Sequence, residues 1–268
     1  MKPCSVIAVC VVLAVGAVGR AQCASSRDVT IEAARAEATA FTKSLPDYAA
    51  YRITIRFSGT RVRTLPGVLD NPNLNLSEIV WNRLNTVAAD LVVVAGKEVY
   101  SNVKVDNQPA KSPAVTGSWS TGEFSGMLDG LFAKNRAALF SNQRRETIGK
   151  RPVLRYRFAV DHAHSQWVIN GKTGSWATAY TGDVWIDRET GKTLRIEMSA
   201  RELPNSVSLE AIESSVEYSF VQIAGREYVL PIHTVVVSCE TGGVTCVKND
   251  TLYRNYDKFD ATSSISFQ

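Results

Sequence analysis

Between residues 151 and 237 apolar and polar side chains alternate with a period of two, most plainly in Leu154-Arg155-Tyr156-Arg157-Phe158 and Leu194-Arg195-Ile196-Glu197-Met198. Successive side chains of a β-strand point to opposite faces, so each run makes a strand with one oily and one wet side. Such strands belong to an antiparallel sheet covered on one face only. After about Arg145 the chain reads as strand and turn throughout: Thr147-Ile148, then 153–161, 166–169, 179–187, 193–200, 216–223, 227–238 and 245–253. The short turns between them imply meander pairing.

Two helices are expected upstream. Ile31, Ala34, Ala38, Phe41 and Leu45 recur at three- and four-residue steps, and Pro46 stops the pattern. Phe124, Met127, Leu128, Leu131 and Phe132 share one side of a second helical wheel, entered through Ser120 and Glu123 at capping-box spacing. Between the two helices lie an alternating strand at 52–57, a Pro/Asn/Gly-rich loop at 60–77, a hairpin over 86–106 turning at Ala95-Gly96, and a loop at 107–118. No repeat or linker divides the chain. The expected architecture is α+β: residues 22–268 form a single domain built on a strongly curved antiparallel sheet of roughly ten strands, with the two main helices on its concave face.

The first 21 residues read as an address. Lys2 precedes an apolar or small run from Ser5 to Val18, and Gly19-Arg20-Ala21 offers small residues for cleavage. A secretory signal peptide at 1–21 is expected, and with it a periplasmic or secreted location. A spanning helix is the competing reading, against which the run is short. Cys23 raises lipidation, although Gln22 stands where a lipobox wants a small residue. With Lys2 and Arg20 gone, the 30 basic residues become 28 against 26 acidic ones. That scattered, near-neutral charge argues against nucleic acid as a partner.

Cys239 and Cys246 flank a Gly242-Gly243 turn between strand-like runs, which can bring the sulfurs opposite each other. A hairpin disulfide in an oxidising compartment is the reading preferred over a redox-active pair.

Chemistry is harder to find. His162 and His164 have strand spacing for one metal ion, but nothing nearby supplies further ligands. His233, between Ile232 and Thr234, reads as a packing residue rather than a base. Ser118 and Ser120 do not form a G-x-S-x-G elbow, and phosphate-cradling glycine motifs are absent. Asp183, Asp187, Glu189 and Glu197 cluster near one hairpin, where acidic residues on turns and wet faces are the default. No catalytic residue, metal or cofactor is therefore expected, and the chain reads as a non-enzyme.

The oily strand faces remain: Leu154, Tyr156 and Phe158; Leu194, Ile196 and Met198; Tyr218 and Phe220. Either they form a dry core, or part of this wall stays open as a lining for an acyl chain or hydrophobic peptide.

The hairpin Gly182-Asp183-Val184-Trp185-Ile186-Asp187-Arg188-Glu189-Thr190-Gly191-Lys192-Thr193-Leu194-Arg195-Ile196-Glu197 resembles the repeated hairpin of the LolA/LolB/RseB-like superfamily of periplasmic proteins. That resemblance implies a half-barrel of about eleven strands, helices plugging its concave side, and a hydrophobic cavity for lipoprotein acyl chains. The chain also resembles a group of uncharacterised bacterial secreted proteins through Ser44-Leu45-Pro46-Asp47-Tyr48, Gly117-Ser118-Trp119-Ser120-Thr121-Gly122-Glu123-Phe124 and Arg254-Asn255-Tyr256-Asp257-Lys258-Phe259. Two functional expectations follow. One is an exported carrier whose partner is a lipid or lipoprotein acyl chain; the other is a cell-envelope interaction protein with a dry core and a protein partner.

Overall fold

The structure is a computed structural model that describes residues 28–61, 79–113, 126–133, 138–171, 174–200, 203–242 and 245–259. The leader at 1–21, Cys23, residues 62–77 of the expected loop and the Ser120/Glu123 cap lie outside the described residues.

The first helix, α1 (Val29–Ser44), begins where Asp28 accepts hydrogen bonds from the backbone N–H groups of Thr30 and Ile31, at 2.9 and 3.3 Å. This is ordinary side-chain capping of donors that the first turn cannot satisfy internally. It ends at Leu45, just before Pro46, as the sequence requires. Strands β1 (Tyr48–Arg61), β2 (Ile79–Val94), β3 (Lys97–Val105) and β4 (Gln108–Pro109) follow, then the short helix α2 (Gly126–Phe132). Among the described residues the remaining elements are strands and two single 3-10 turns, the strands being β5 (Leu139–Ile148), β6 (Arg151–Val160), β7 (Val168–Gly171), β8 (Gly174–Ala177), β9 (Tyr180–Asp187), β10 (Thr193–Ala200), β11 (Leu209–Ile223), β12 (Arg226–Glu240) and β13 (Thr245–Lys258).

Eleven strands form one sheet in the order β4-β3-β2-β1-β13-β12-β11-β10-β9-β6-β5, every pairing antiparallel; β7 and β8 make a separate hairpin. The meander is broken in two places, where β1 pairs with the last strand and β6 skips the small hairpin to reach β9. The sheet does not close, because β4 and β5 are its edges.

Three bulges have a common cause. Asn102, Asn142 and Asn255 take left-handed φ values of 49°, 51° and 54°, each within a register shift of β3, β5 or β13. Asparagine tolerates that conformation better than other side-chain-bearing residues. Each bulge bends its strand and increases local twist.

Helices α1 and α2 cover one face. Ile31 and Ala34 of α1 and Leu128, Leu131 and Phe132 of α2 pack in a cluster with the inward residues of β6, β9, β10 and β11. Phe41 also joins a second cluster around Tyr48, Leu91 and Tyr253, so α1 covers the face from β6 towards β1 and β2. The start of α1 is tied down by Tyr156 of β6, whose hydroxyl donates to the Asp28 carboxylate at 2.9 Å and accepts from Gln143 at 2.7 Å. Burial first, and then the Asp28 carboxylate, push the Tyr156 phenol pKa up against the opposing effect of Thr30 and Gln143, so the hydroxyl stays protonated to donate.

The opposite face has its own small cluster. Cys239 and Cys246 are register partners joined by a disulfide there, beside Ala211, Ile79 and Trp81. Trp81 lies over Gly59, where a Cβ would come within 2.7 Å of the indole.

Gly182 is the tightest point of the helix-bearing face. It pairs with Phe158 on one side and Met198 on the other, and an added Cβ would fall 1.9 Å from the Glu197 carbonyl oxygen and 2.7 Å from the Phe158 ring. Gly182→Ala should therefore cost about 3 kcal/mol, the upper end of ordinary overpacking, read as a lower denaturation midpoint. At the bulges, Asn142→Gly should be nearly neutral, whereas Asn142→Val should cost about 1–2 kcal/mol because a β-branched residue resists the left-handed region; urea unfolding of both variants checks it. Replacing Cys239 and Cys246 together by serine should lower stability by about 2.5 kcal/mol, the chain-entropy value for so short a loop, under the same measurement.

Candidate functional site

Register carries side chains from strand to strand across the helix-bearing face. One row runs Phe158, Gly182, Met198, Ser214, Val236, Asn249 and Arg56, through β6, β9, β10, β11, β12, β13 and β1. The neighbouring row runs Tyr156, Val184, Ile196, Val216, Thr234, Thr251 and Thr54. Both rows change character midway. The face is apolar from β6 to β10 and polar from β13 to β1, although Thr54, Thr251, Thr234 and Arg56 are as buried as the aliphatic residues.

A cavity of about 560 Å³ lies over this transition. Its roof is α2, contributing Gly126, Met127, Gly130 and Leu131, and one side is the 166–170 segment leading into β7. Its floor is the sheet, with Phe158, Ile196 and Met198 at the β6–β10 end and, from β11 to β13, Ser214, Ser238 and Asn249 set among Leu209, Ile212 and Val236. Trp167 and Phe158 meet the Tyr180 ring edge-on, with centroids 5.5 and 6.0 Å away, which makes a stiff aromatic corner. Gly130 is buried with open space above it, the nearest atom to an added Cβ being the Tyr180 hydroxyl at 3.6 Å.

Of the eight residues read from the sequence as lining, Phe158, Ile196 and Met198 face the cavity while also belonging to the buried cluster. Leu154, Tyr156, Leu194 and Tyr218 are buried in the cluster shared with α1, and Phe220 packs at its margin with the Arg151 guanidinium 3.9 Å above its ring. Sequence reasoning missed Ile212, Ser214, Val236 and Asn249. The signal for Ser214 was present, since Ile212-Glu213-Ser214-Ser215-Val216 continues the alternation, but a small polar residue on an oily face reads as a gap.

On β1, outside the cavity lining, Arg52 is 1% exposed. Its guanidinium donates to the Tyr100 hydroxyl at 2.7 Å and lies 5.6 and 5.5 Å from the Tyr100 and Tyr253 ring centres. Tyr100 in turn donates to Glu98. Arg56 donates to the Pro113 carbonyl at 2.6 Å; burial first, and then the charge of Arg52, press its pKa downward. Ser214 Oγ and Thr234 Oγ1 are buried and find no hydrogen-bond partner among the described residues.

The residues weighed for catalysis lie elsewhere. Asp183 and Glu197 are register partners on the face away from the cavity, each against an arginine, Arg155 and Arg195 respectively. Arg155 also meets Glu146 at 3.2 Å, and Trp185 donates to Glu146 at 2.7 Å with its ring flanked by both arginines. The Trp185 hydrogen bond, outweighing desolvation and assisted by Arg155, holds the Glu146 carboxyl below the usual range. His233 belongs to the same outer surface, 2.8 Å from Asp250. His162 and His164 sit on a 3-10 turn capped by Asp161. Among the described residues no group of three His, Cys, Asp or Glu could hold a metal, and no helix is long and apolar enough to cross a membrane.

No family model and no curated protein matches the chain. Among solved structures the chain is similar to a domain from Vibrio parahaemolyticus, provisionally described as an outer membrane lipoprotein-sorting protein domain. Identity is 10%, the alignment covers 87% of this chain and 93% of that one, and the TM-score is 0.39. At 10% identity no residue of that domain is carried over to the cavity.

Asp187 anchors the turn between β9 and β10. Burial opposes its ionisation, but donors from the Thr190 backbone and hydroxyl, the Glu189 backbone and Arg151 outweigh it and hold the carboxyl pKa below the ordinary value. A depressed folded value stabilises the fold above the unfolded carboxylate pKa of about 3.9, and this contribution is lost as pH falls through the folded value. Asp187→Asn should therefore lower the urea midpoint at pH 7 and shrink the difference between midpoints at pH 7 and pH 3.

Proposed function

We propose that the protein is an exported, non-enzymatic binding protein that shields an acyl chain or hydrophobic segment in the cavity beneath α2. The observation that carries this reading is the cavity itself. Its volume of about 560 Å³ falls within the roughly 300–1,000 Å³ of small-molecule sites, and a largely apolar wall with a few convergent polar groups is the usual composition of such a site. Affinity would come from burying apolar surface, about 0.8 kcal/mol for each methylene removed from water.

The sheet in this reading is a half-barrel bent by its bulges, with α1 and α2 on the concave side. The two helices do unequal work. Helix α1 is fixed by Tyr156 and fills the face over β6 to β11. Helix α2 has seven residues, and Gly126 and Gly130 leave room between it and the floor. Export agrees with the leader pattern of residues 1–21 and with a disulfide suited to an oxidising compartment. Residues 22–268 then act as one domain.

Native mass spectrometry of protein purified from the envelope of its own host should show a co-purified lipid or acylated peptide. A clean apo mass would favour the dry-core interaction protein instead. Gly130→Leu separates binding from folding. The leucine side chain enters the cavity while glycine's helix penalty of about 0.8–1 kcal/mol is relieved, so the bound mass should disappear while the melting temperature holds or rises. Retention of the ligand by a folded Gly130→Leu variant would place it elsewhere.

A further inference from the structure

Ser214 is the point at which the cavity floor departs from a greasy pocket. It lies between Met198 and Val236 in its register row, is 5% exposed, lines the cavity, and its hydroxyl meets no partner among the described residues. Buried hydroxyls are normally hydrogen-bonded, and one left dry is costly. A purely hydrocarbon occupant would seal it off unsatisfied.

The two positions beyond Ser214 give the polarity a sign. Asn249 of β13 also lines the cavity, and its register partner on β1 is Arg56. Opposed residues on neighbouring strands keep their Cβ atoms about 4.5–5.5 Å apart, so the buried side chain of Arg56, whose guanidinium donates to the Pro113 carbonyl, starts one strand beyond the cavity wall. Arg52, on the same face of β1, adds a second buried positive charge. At the other end Phe158, Ile196 and Met198 offer only hydrocarbon and sulfur. Along this row the floor passes from oil at β6 to β10 to Ser214 on β11 and Asn249 on β13, with Val236 between them and Arg56 one strand further on.

We infer that the cavity takes an anionic amphiphile, a carboxylate or phosphate monoester on a single hydrocarbon tail, with the tail over Met198 and Phe158 and the headgroup against Ser214 and Asn249, beside Arg56. This rests on the reading of the cavity as a site for an apolar chain and adds which chemistry enters and which way round. Ser214 donates its hydroxyl proton to a headgroup oxygen, the Asn249 side-chain amide faces the same group, and Arg56 supplies the compensating charge. A hydrogen bond to a charged acceptor is roughly twice as strong as a neutral one, and buried charge is tolerated only where it is paired.

Calorimetry on the full mature chain, stripped of lipid, tests this with three probes of equal tail: dodecanoate, dodecyl phosphate and methyl dodecanoate. At least one anion should bind about tenfold or more tightly than the neutral ester, the gap expected of a charge-assisted hydrogen bond, and the stronger of the two anions tells a carboxylate site from a phosphate site. Ser214→Ala should weaken the preferred anion about tenfold, and Arg56→Gln should bring it down to the affinity of the ester while leaving the ester unchanged. Equal binding of anions and ester, or an anion affinity indifferent to Ser214→Ala, overturns the inference while the cavity reading stands. Failure of all three probes to bind overturns both. If Arg56→Gln does not fold, Ser214→Ala, which removes one oxygen atom, decides alone.

Discussion

An open sheet of eleven strands with one oily face must have that face covered, and the rest of the structure follows from how α1 does so. The Tyr156 hydroxyl reaches the Asp28 carboxylate, the group that caps α1, so one contact both starts the helix and places it on the sheet. From there the Ile31, Ala34, Ala38 and Phe41 stripe lies over β6 to β11 and reaches the Tyr48 cluster near β1. Loss of that anchor would release the helix start and the apolar row beneath it together.

Because α1 covers one part of the face and the seven-residue α2 another, the covering is uneven. Beneath α1 the side chains interdigitate: Leu154, Leu194 and Ile186 are buried, and Gly191 brings the β9–β10 turn so close that an added Cβ would stand 3.0 Å from Ala33. Beneath α2, two glycines replace what larger residues would fill. The same sheet thus supplies packed core and open floor within a few strands, with Gly182 leaving the space that the Phe158 ring occupies between them. The outer face uses different means. Arg155, Glu146, Asp183 and Trp185 interlock there with Arg195, and the carboxylates that resemble a catalytic pair in the sequence are consumed by that network.

Much of the fold was legible in the chain. The helix over 31–45, the hairpin turning at Ala95-Gly96 and the strands from 151 onwards are found within a few residues, because helix and strand periods are local properties. Strand β5 was largely missed. Leu139-Phe140-Ser141-Asn142-Gln143-Arg144 looks like a polar surface run, and it is an edge strand exposed along most of its length, so no buried face imprints the alternation. The early part of β2 escaped for a similar reason, whereas that of β11 is buried and was missed because Ser214 and Ser215 read as a gap in the oily face. All eight lining candidates stand in or beside the packed cluster, and Phe158, Ile196 and Met198 also face the cavity. In the sequence all eight look alike.

The sequence alone determined which side chains share a face, since a strand's side-chain direction flips with every residue whatever the strand packs against. It also placed the disulfide hairpin and the stops of α1, which depend on near neighbours. Only the tertiary structure decided where oil gives way to donors and where cover gives way to space. Those depend on register between residues far apart in the chain, such as Arg56 beside Asn249, and on a helix held by a hydrogen bond between residues 128 positions apart. Pairings of that range are set by the sum of many strand contacts, and no local pattern records them.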